Sequence, residues 1–451
     1  MAIAKILGRG IWVVVGLAVL GLLMTPQISD AKNKIRIAYL APMKASGGLA
    51  AWQGAAVTAE EINEKGGINV GGVRHEIEMV PIDTNEFASM PDAVNAMERA
   101  CTIEKVDFVM GGYRNEAMLA MMDIAMQHKK ILIDTGSSKM DQLQRVKKNY
   151  KRYKYYFRTS QTMAPVAAHM FADADYVGNV IRKQLGIAKP KVAIVMDKLS
   201  FADGAAKLAG ATFPKMGYEV VGTWRTKFTA SDLFVEANAI HAAGAHMIFV
   251  LMVGPGGSAF VNAWQKIKIP AALVGSVTAS QTLKYWKNSG GAANYLAGYD
   301  TIGRVKMSER TLTFYDRYLK KWGDKPGYIS PLAEGGVLIL KQAIEKAGTL
   351  DADKLVPALE KANVVYSRGR MEFYPLDSDM PHQVKQCMRG YSSMVSYQWR
   401  EGKQNIYFPS GGKVHPAILA FRPAAEMYSG LRFEGTGEYK LPPWMVKHYK
   451  K

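Results

Sequence analysis

The chain has 451 residues, 48% of them apolar and 22% charged, which is the balance of a globular protein. That length exceeds what one core usually supports and predicts two or three lobes. The formal net charge is +19. It reads as a solvated basic surface, with attraction to an anionic membrane or an acidic solute as sharper readings. Nucleic-acid binding is disfavoured by the export signal described next and by the absence of an interleaved basic–aromatic motif.

Lys5 and Arg9 give a short positive region, and the apolar run 11–24 follows. Pro26 breaks the run, and Ser29 and Ala31 offer small residues around a cleavage site. This order predicts a secretory signal peptide over 1–31. The 14-residue run is shorter than the ~20 residues a spanning helix needs; an uncleaved anchor is the alternative. The first cysteine is Cys101, far from the cut, which argues against a lipid anchor. No disulfide is expected between Cys101 and Cys387, and no Cys/His spacing suggests a metal.

Strand and helix then alternate. Strands are predicted at 34–40, 76–83, 106–110 and 130–134, with helices at 51–64, 89–103 and 116–128. Gly66 and Gly67 stop the first helix, and Pro81 places its strand at an edge or near a strand end. The pattern restarts with a long helix at 163–185. Strands follow at 191–197, 218–223, 246–253 and 271–274, with helices at 204–216, 231–243 and 258–267. Helical spacing returns at 309–322, 332–347 and 351–362, and the rest reads as short strands and loops. Two runs of alternation with short joints predict an α/β protein with two doubly wound parallel-sheet lobes.

Ligands of open parallel sheets sit beyond the carboxyl ends of the strands. Seven such loops can be named: 42–48, 83–86, 111–116, 135–138, 198–203, 253–257 and 275–280. Several are rich in Gly and Ser, which either make turns or expose backbone N–H groups toward an anion. The eight histidines are scattered, and no nucleophile elbow, zinc-protease helix or phosphate loop appears. The chain is therefore not expected to be an enzyme, and no cofactor is expected.

One resemblance is specific. IRIAYLAPM at 35–43, AEEINEKGGI at 59–68, YYFRTS at 155–160, DKLSFADG at 197–204, FYDRYLKKWGDKP at 314–326 and GRMEF at 369–373 occur in the family's order. The chain resembles the periplasmic branched-chain amino acid (leucine/isoleucine/valine) binding proteins of ABC transporters, over 34–409. The resemblance implies a multi-strand hinge joining the lobes. Lobe 1 would be 32–155 completed near 300–350, and lobe 2 would be 156–299 completed near 360–409. Residues 410–451 form an extension with no assigned place. It also implies a monomer in the periplasm that closes on a small-molecule solute, anionic or zwitterionic, and delivers it to a membrane ABC permease. A sensor passing its signal to a separate receptor or kinase is the alternative.

Carried over residue by residue, the family's ligand positions fall at Asn115, Gly136, Ser138, Phe201, Val253 and Val277. Val277 stands where an acidic residue normally holds the ligand's ammonium, so an ordinary amino acid is put in doubt. Arg114 would clamp a carboxylate, or else point to solvent or pair with Glu116. Tyr113 would stack on the solute or belong to the core. Trp52 would supply a missing aromatic contact. Asp83 and Asp134 would take a cation or tie down loops, and Glu334 would meet a cationic group or lie at the surface. Together these point to a small organic acid with an apolar or aromatic body.

Overall fold

The computed structural model describes residues 33–388, 390–421 and 424–450, without the side chains of Ser200, Phe201 and Ala424. The predicted signal peptide lies outside the described residues. Among the described residues, no helix is long and apolar enough to cross a membrane.

The first sheet contains β1 (Lys34–Ala41), β2 (Ile68–Val70), β3 (Val73–Asp83), β4 (Phe108–Gly111), β5 (Leu132–Asp134) and β6 (Tyr156–Arg158). Their order is β2-β3-β1-β4-β5-β6. All pairs are parallel except β2 with β3. β2 ends its pairing at His75, so Pro81 lies where β3 has no neighbour on that side and needs no N–H there. Helices cover both faces, and β4 and β5 are wholly buried, as parallel strands require.

The second sheet contains β7 (Lys191–Asp197), β8 (Glu219–Thr226), β9 (Met247–Met252) and β10 (Ala272–Val277), all parallel, in the order β10-β9-β7-β8. Its period of two is visible in the cores. Val192, Ile194, Met196, Phe249 and Leu251 pack on one side with the long helix Met163–Leu185. Ala193, Val195, Ile248, Val250 and Met252 pack on the other side with Trp264.

β11 (Ala297–Asp300) adjoins the second lobe. β12 (Asn363–Tyr366) and β13 (Gly369–Glu372) form a hairpin. β14 (Val395–Arg400) and β15 (Lys403–Phe408) complete an antiparallel sheet ordered β11-β14-β15. The hairpin's Tyr366 and Met371, with Phe373 and Val384, belong to the first core. This corrects the expected boundary, since 363–384 completes lobe 1 and only 395–408 completes lobe 2. Gly335 leaves room for this packing: a Cβ there would sit 2.2 Å from the Met371 methyl, so that side chain seats directly against the helix Ser330–Ala347.

The chain crosses between the lobes three times: between Phe157 and Val166, between Tyr299 and Ile302, and between Val384 and Cys387. The C-terminal segment, unplaced from sequence, packs on lobe 2 through Ile418, Tyr428 and Met445. Trp444 donates to the Ile269 carbonyl at 2.9 Å and meets Trp264 edge-on. Cys101 and Cys387 are both free and buried.

Candidate functional site

The carboxyl ends of both parallel sheets face one cleft, with a cavity of about 250 Å³. The helix Ser46–Glu64 begins at its wall. Ala45 before it is extended and offers no side-chain cap, and the first recorded helical bond runs from Leu49 N–H to the Ala45 carbonyl at 3.0 Å. Among the described residues the N–H groups of Ser46, Gly47 and Gly48 meet no acceptor, as at a helix N-terminus, and Ser46 and Gly47 line the cavity. Gly47 lets Tyr113 sit close, because a Cβ there would lie 2.8 Å from its hydroxyl and would push the ring aside.

Three further loops of lobe 1 complete this wall. Tyr113 lies against Gly47, and burial raises its phenol above the ordinary range, so it remains a neutral hydroxyl. Asn115 opens the helix Asn115–Gln127, and its Oδ1 accepts the backbone N–H groups of Ser138 and Lys139, each at 2.8 Å. Asp134, fully buried, accepts the N–H groups of Gly136 (3.0 Å) and Ser137 (2.9 Å) and the Tyr156 hydroxyl (2.6 Å). It ties down its loop and does not face the cavity. Asp83 does the same for its loop, accepting from Met43 at 3.1 Å and Asn85 at 3.0 Å.

Val253, Ser276 and Thr278 supply the opposing wall, Gln161 and Tyr299 enter from interlobe crossings, and Tyr328 enters from the loop before the helix Ser330–Ala347. Gln161 donates to the Tyr328 hydroxyl at 2.8 Å while accepting from the buried Arg368 at 3.2 Å. Among the described residues that line the cavity there is no Asp, Glu, Lys, Arg or His. Neutral hydroxyls, amides, helix N–H groups and apolar side chains make up the lining that the described residues supply. Among the described residues no cluster of His, Cys, Asp or Glu could hold a metal ion.

Of the eight candidate residues, the cavity gathers Tyr113, Asn115, Gly136, Ser138 and Val253. It does not gather Arg114, whose guanidinium donates to the Glu86 carbonyl at 2.8 Å and lies 3.8 Å from Glu116. Arg114 precedes the helix that Asn115 begins, and its backbone N–H is also taken by the buried Glu86 carboxylate. Val277 is buried against Gly257 in the core on the far side of the sheet. Its neighbours Ser276 and Thr278 line the cavity in its place. Phe201 falls in the first turn of the helix Ser200–Lys215, and its side chain lies outside the described residues. Trp52 packs on Trp322 with centroids 5.6 Å apart and does not line the cavity.

Glu334 is neither a ligand contact nor a surface group. It is fully buried and paired with Arg310 at 3.2 Å, and burial pushes its carboxyl up to about 7. Glu61 shares the same arginine and is held down at about 2, so one guanidinium serves one firmly ionised carboxylate and one displaced one.

Two α/β lobes with three crossings, closing a neutral cavity between facing loops, are the build of a solute-capturing protein. The chain belongs to the periplasmic binding protein family, whose model matches residues 34–394. The family resemblance read from the sequence is borne out, and with it the reading of a binding protein rather than an enzyme. Solved structures share the fold. A putative branched-chain amino acid ABC transporter protein from Silicibacter pomeroyi is 16% identical with a TM-score of 0.69, covering 91% of this chain and 100% of that one. A leucine-binding protein from Thermotoga maritima is 19% identical with a TM-score of 0.64, covering 85% and 99%. An ABC transporter solute-binding protein from R. palustris, in complex with 4-hydroxybenzoate, is 20% identical with a TM-score of 0.63, covering 83% and 95%.

Proposed function

We propose that this protein is exported to the periplasm, captures a small monocarboxylate with an apolar or aromatic body, and delivers it as a monomer to a membrane ABC permease. The cavity lining carries the proposal, because among the described residues it has no Asp, Glu, Lys, Arg or His side chain. A zwitterionic amino acid would bring an ammonium with no carboxylate to receive it, and burying an unpaired charge costs several kcal/mol. A carboxylate, by contrast, meets the helix N-terminus at Ser46 and Gly47, where unpaired N–H groups and the helix dipole favour an anion. Hydroxyls of Ser138 and Tyr113 and the Asn115 amide stand beside it, and Val253 and the tyrosines receive the apolar body.

Solved relatives in fold span both ligand classes: one is a leucine-binding protein and one is in complex with isoleucine, while others are in complex with benzoate or 4-hydroxybenzoate. The absent ammonium partner favours the second class here. Ligand seated on lobe 1 would gain contacts from lobe 2 only in the closed state, which is the differential affinity that closure needs. A thermal-shift screen of benzoate, 4-hydroxybenzoate and short-chain carboxylates against the common amino acids tests the proposal. It predicts that carboxylates without an ammonium raise the melting temperature; stabilisation confined to amino acids would refute it.

A further inference from the structure

Arg368 occupies the turn of the β12–β13 hairpin, where it is 1% exposed. Its Nε and Nη2 donate to the Ser393 carbonyl at 3.1 and 2.7 Å, and Nη2 also donates to the Gln161 Oε1 at 3.2 Å. Its Nη1 has no partner among the described residues. These acceptors are neutral. The charge of Arg368 also reaches Asp300, but that carboxylate already holds Lys325 at 2.7 Å. A guanidinium is thus buried between the lobes with no counter-charge of its own, in an interior where its field is weakly screened.

Arg368 does not line the cavity, but Gln161 and Tyr328 do. An arginine only donates, so it fixes which end of the Gln161 amide faces it. The amide nitrogen is thereby turned to the Tyr328 hydroxyl, to which it donates at 2.8 Å. The Tyr328 oxygen accepts that bond, so its own proton points away from Gln161. It is left for a solute or for Tyr299, a cavity-lining phenol whose ring centroid is 6.1 Å from that of Tyr328. Each donor in this row points away from Arg368, which carries positive polarity toward the cavity. The field itself reaches as far: burial holds the Tyr328 phenol well above its ordinary range, and the Arg368 charge acts against that rise.

We infer that Arg368 is a positioning residue for anion selectivity: through Gln161 it orients the Tyr328 hydroxyl, and it gives a cavity whose described lining has no charged side chain a preference for a negative solute. This rests on the carboxylate reading above. It adds to the helix terminus at Ser46 a second source of positive potential, set between the lobes and out of contact with the solute.

Benzoate and benzamide have nearly the same shape and differ in charge. Titration calorimetry with both, on the wild type, Arg368→Met and Gln161→Met, tests the inference. The wild type is expected to bind benzoate at least tenfold more tightly than benzamide. Each variant should lower that ratio fivefold or more, whereas mere packing damage would weaken both ligands alike and leave the ratio unchanged. A smaller fall in either folded variant overturns the role of Arg368 and leaves the carboxylate reading intact. Gln161→Met exchanges side chains of similar volume and keeps the Ser393 bonds of Arg368, so it is expected to fold and decides the matter if Arg368→Met does not. An unfolded Gln161→Met would mean that the row serves only to hold the lobes, and overturns the role as well. A wild type that binds neither ligand, or that binds benzoate less than tenfold more tightly, overturns both readings.

Discussion

Asn115 and Ser138 belong to different loops, yet the Asn115 side-chain oxygen accepts the Ser138 backbone N–H at 2.8 Å, with the Lys139 N–H at the same distance. One amide therefore fastens two ligand-facing loops together. Replacing it with alanine would orphan both donors, at about 1–3 kcal/mol. Asn115→Ala should lower thermal stability and carboxylate affinity together. Asn115→Asp keeps the acceptor and adds a negative charge to the cavity wall. It should melt close to the wild type but lose carboxylate binding by tenfold or more, as read by thermal denaturation and calorimetry side by side.

Gly47 and Gly48 make opposite predictions although they are adjacent. A Cβ at 47 meets the far end of the Tyr113 ring, whose hydroxyl lies 2.8 Å away and can shift. A Cβ at 48 meets the Pro42 carbonyl at 2.4 Å, and backbone cannot easily give. Gly47→Ala should displace Tyr113 and weaken ligand binding with little change in melting temperature. Gly48→Ala should cost about 1–3 kcal/mol of stability, the usual range for overpacking. Denaturant unfolding of both variants separates the two outcomes.

Asp173 gives a pH signature. Burial pushes its carboxyl from 3.8 up to about 7, and its Oδ1 has no hydrogen-bond partner among the described residues. A raised carboxyl favours the folded state fully below pH 4, and that contribution is lost as pH rises toward 7. The whole shift corresponds to on the order of 4 kcal/mol. His169, one helical turn earlier, is pushed down to about 3 by burial, so its contribution runs the other way and is lost as pH falls below 6.5. The two offset each other in the wild type between pH 4 and 6.5. Asp173→Asn removes only the first, so its stability relative to the wild type should climb from pH 4 to 7 and then level off in urea titrations.

Lys325 and Asp300 form a buried pair at 2.7 Å beside the second crossing, with side chains 3% and 0% exposed. Lys325→Met would strand the carboxylate, for a loss of about 3–5 kcal/mol. The double variant Asp300→Asn, Lys325→Met should recover part of that loss, because no unpaired charge remains. A double-mutant cycle by chemical denaturation reads the coupling.

Much of this architecture is legible from strand–helix alternation, because parallel strands are buried on both faces and their loops converge by topology. That logic named the loops 111–116, 135–138 and 253–257, the family resemblance carried Asn115, Gly136, Ser138 and Val253 onto them, and the cavity gathers these with Tyr113. The position carried over from the family at Val277 is off by one residue: a strand alternates faces, so a slip of one exchanges the cavity for the core, and Ser276 and Thr278 hold the wall instead. The loop logic passed over Gln161, Tyr299 and Tyr328, because the first two come from interlobe crossings and the third from the loop before the helix Ser330–Ala347, not from the carboxyl ends of the parallel strands. Gln161 follows directly on the YYFRTS segment, the one local signal for a crossing. Of the two readings of Arg114, the structure shows the one that pairs it with Glu116, at 3.8 Å, while nothing local indicates that Glu86 would take both its backbone and its side chain.

Leucine and 4-methylpentanoate differ only in the ammonium group. Calorimetric titration of the protein with each isolates what a cavity without acidic side chains does to that charge. A neutral lining predicts that 4-methylpentanoate binds at least tenfold more tightly than leucine. Tighter binding of leucine would mean that the ammonium finds a partner, and would contradict the account.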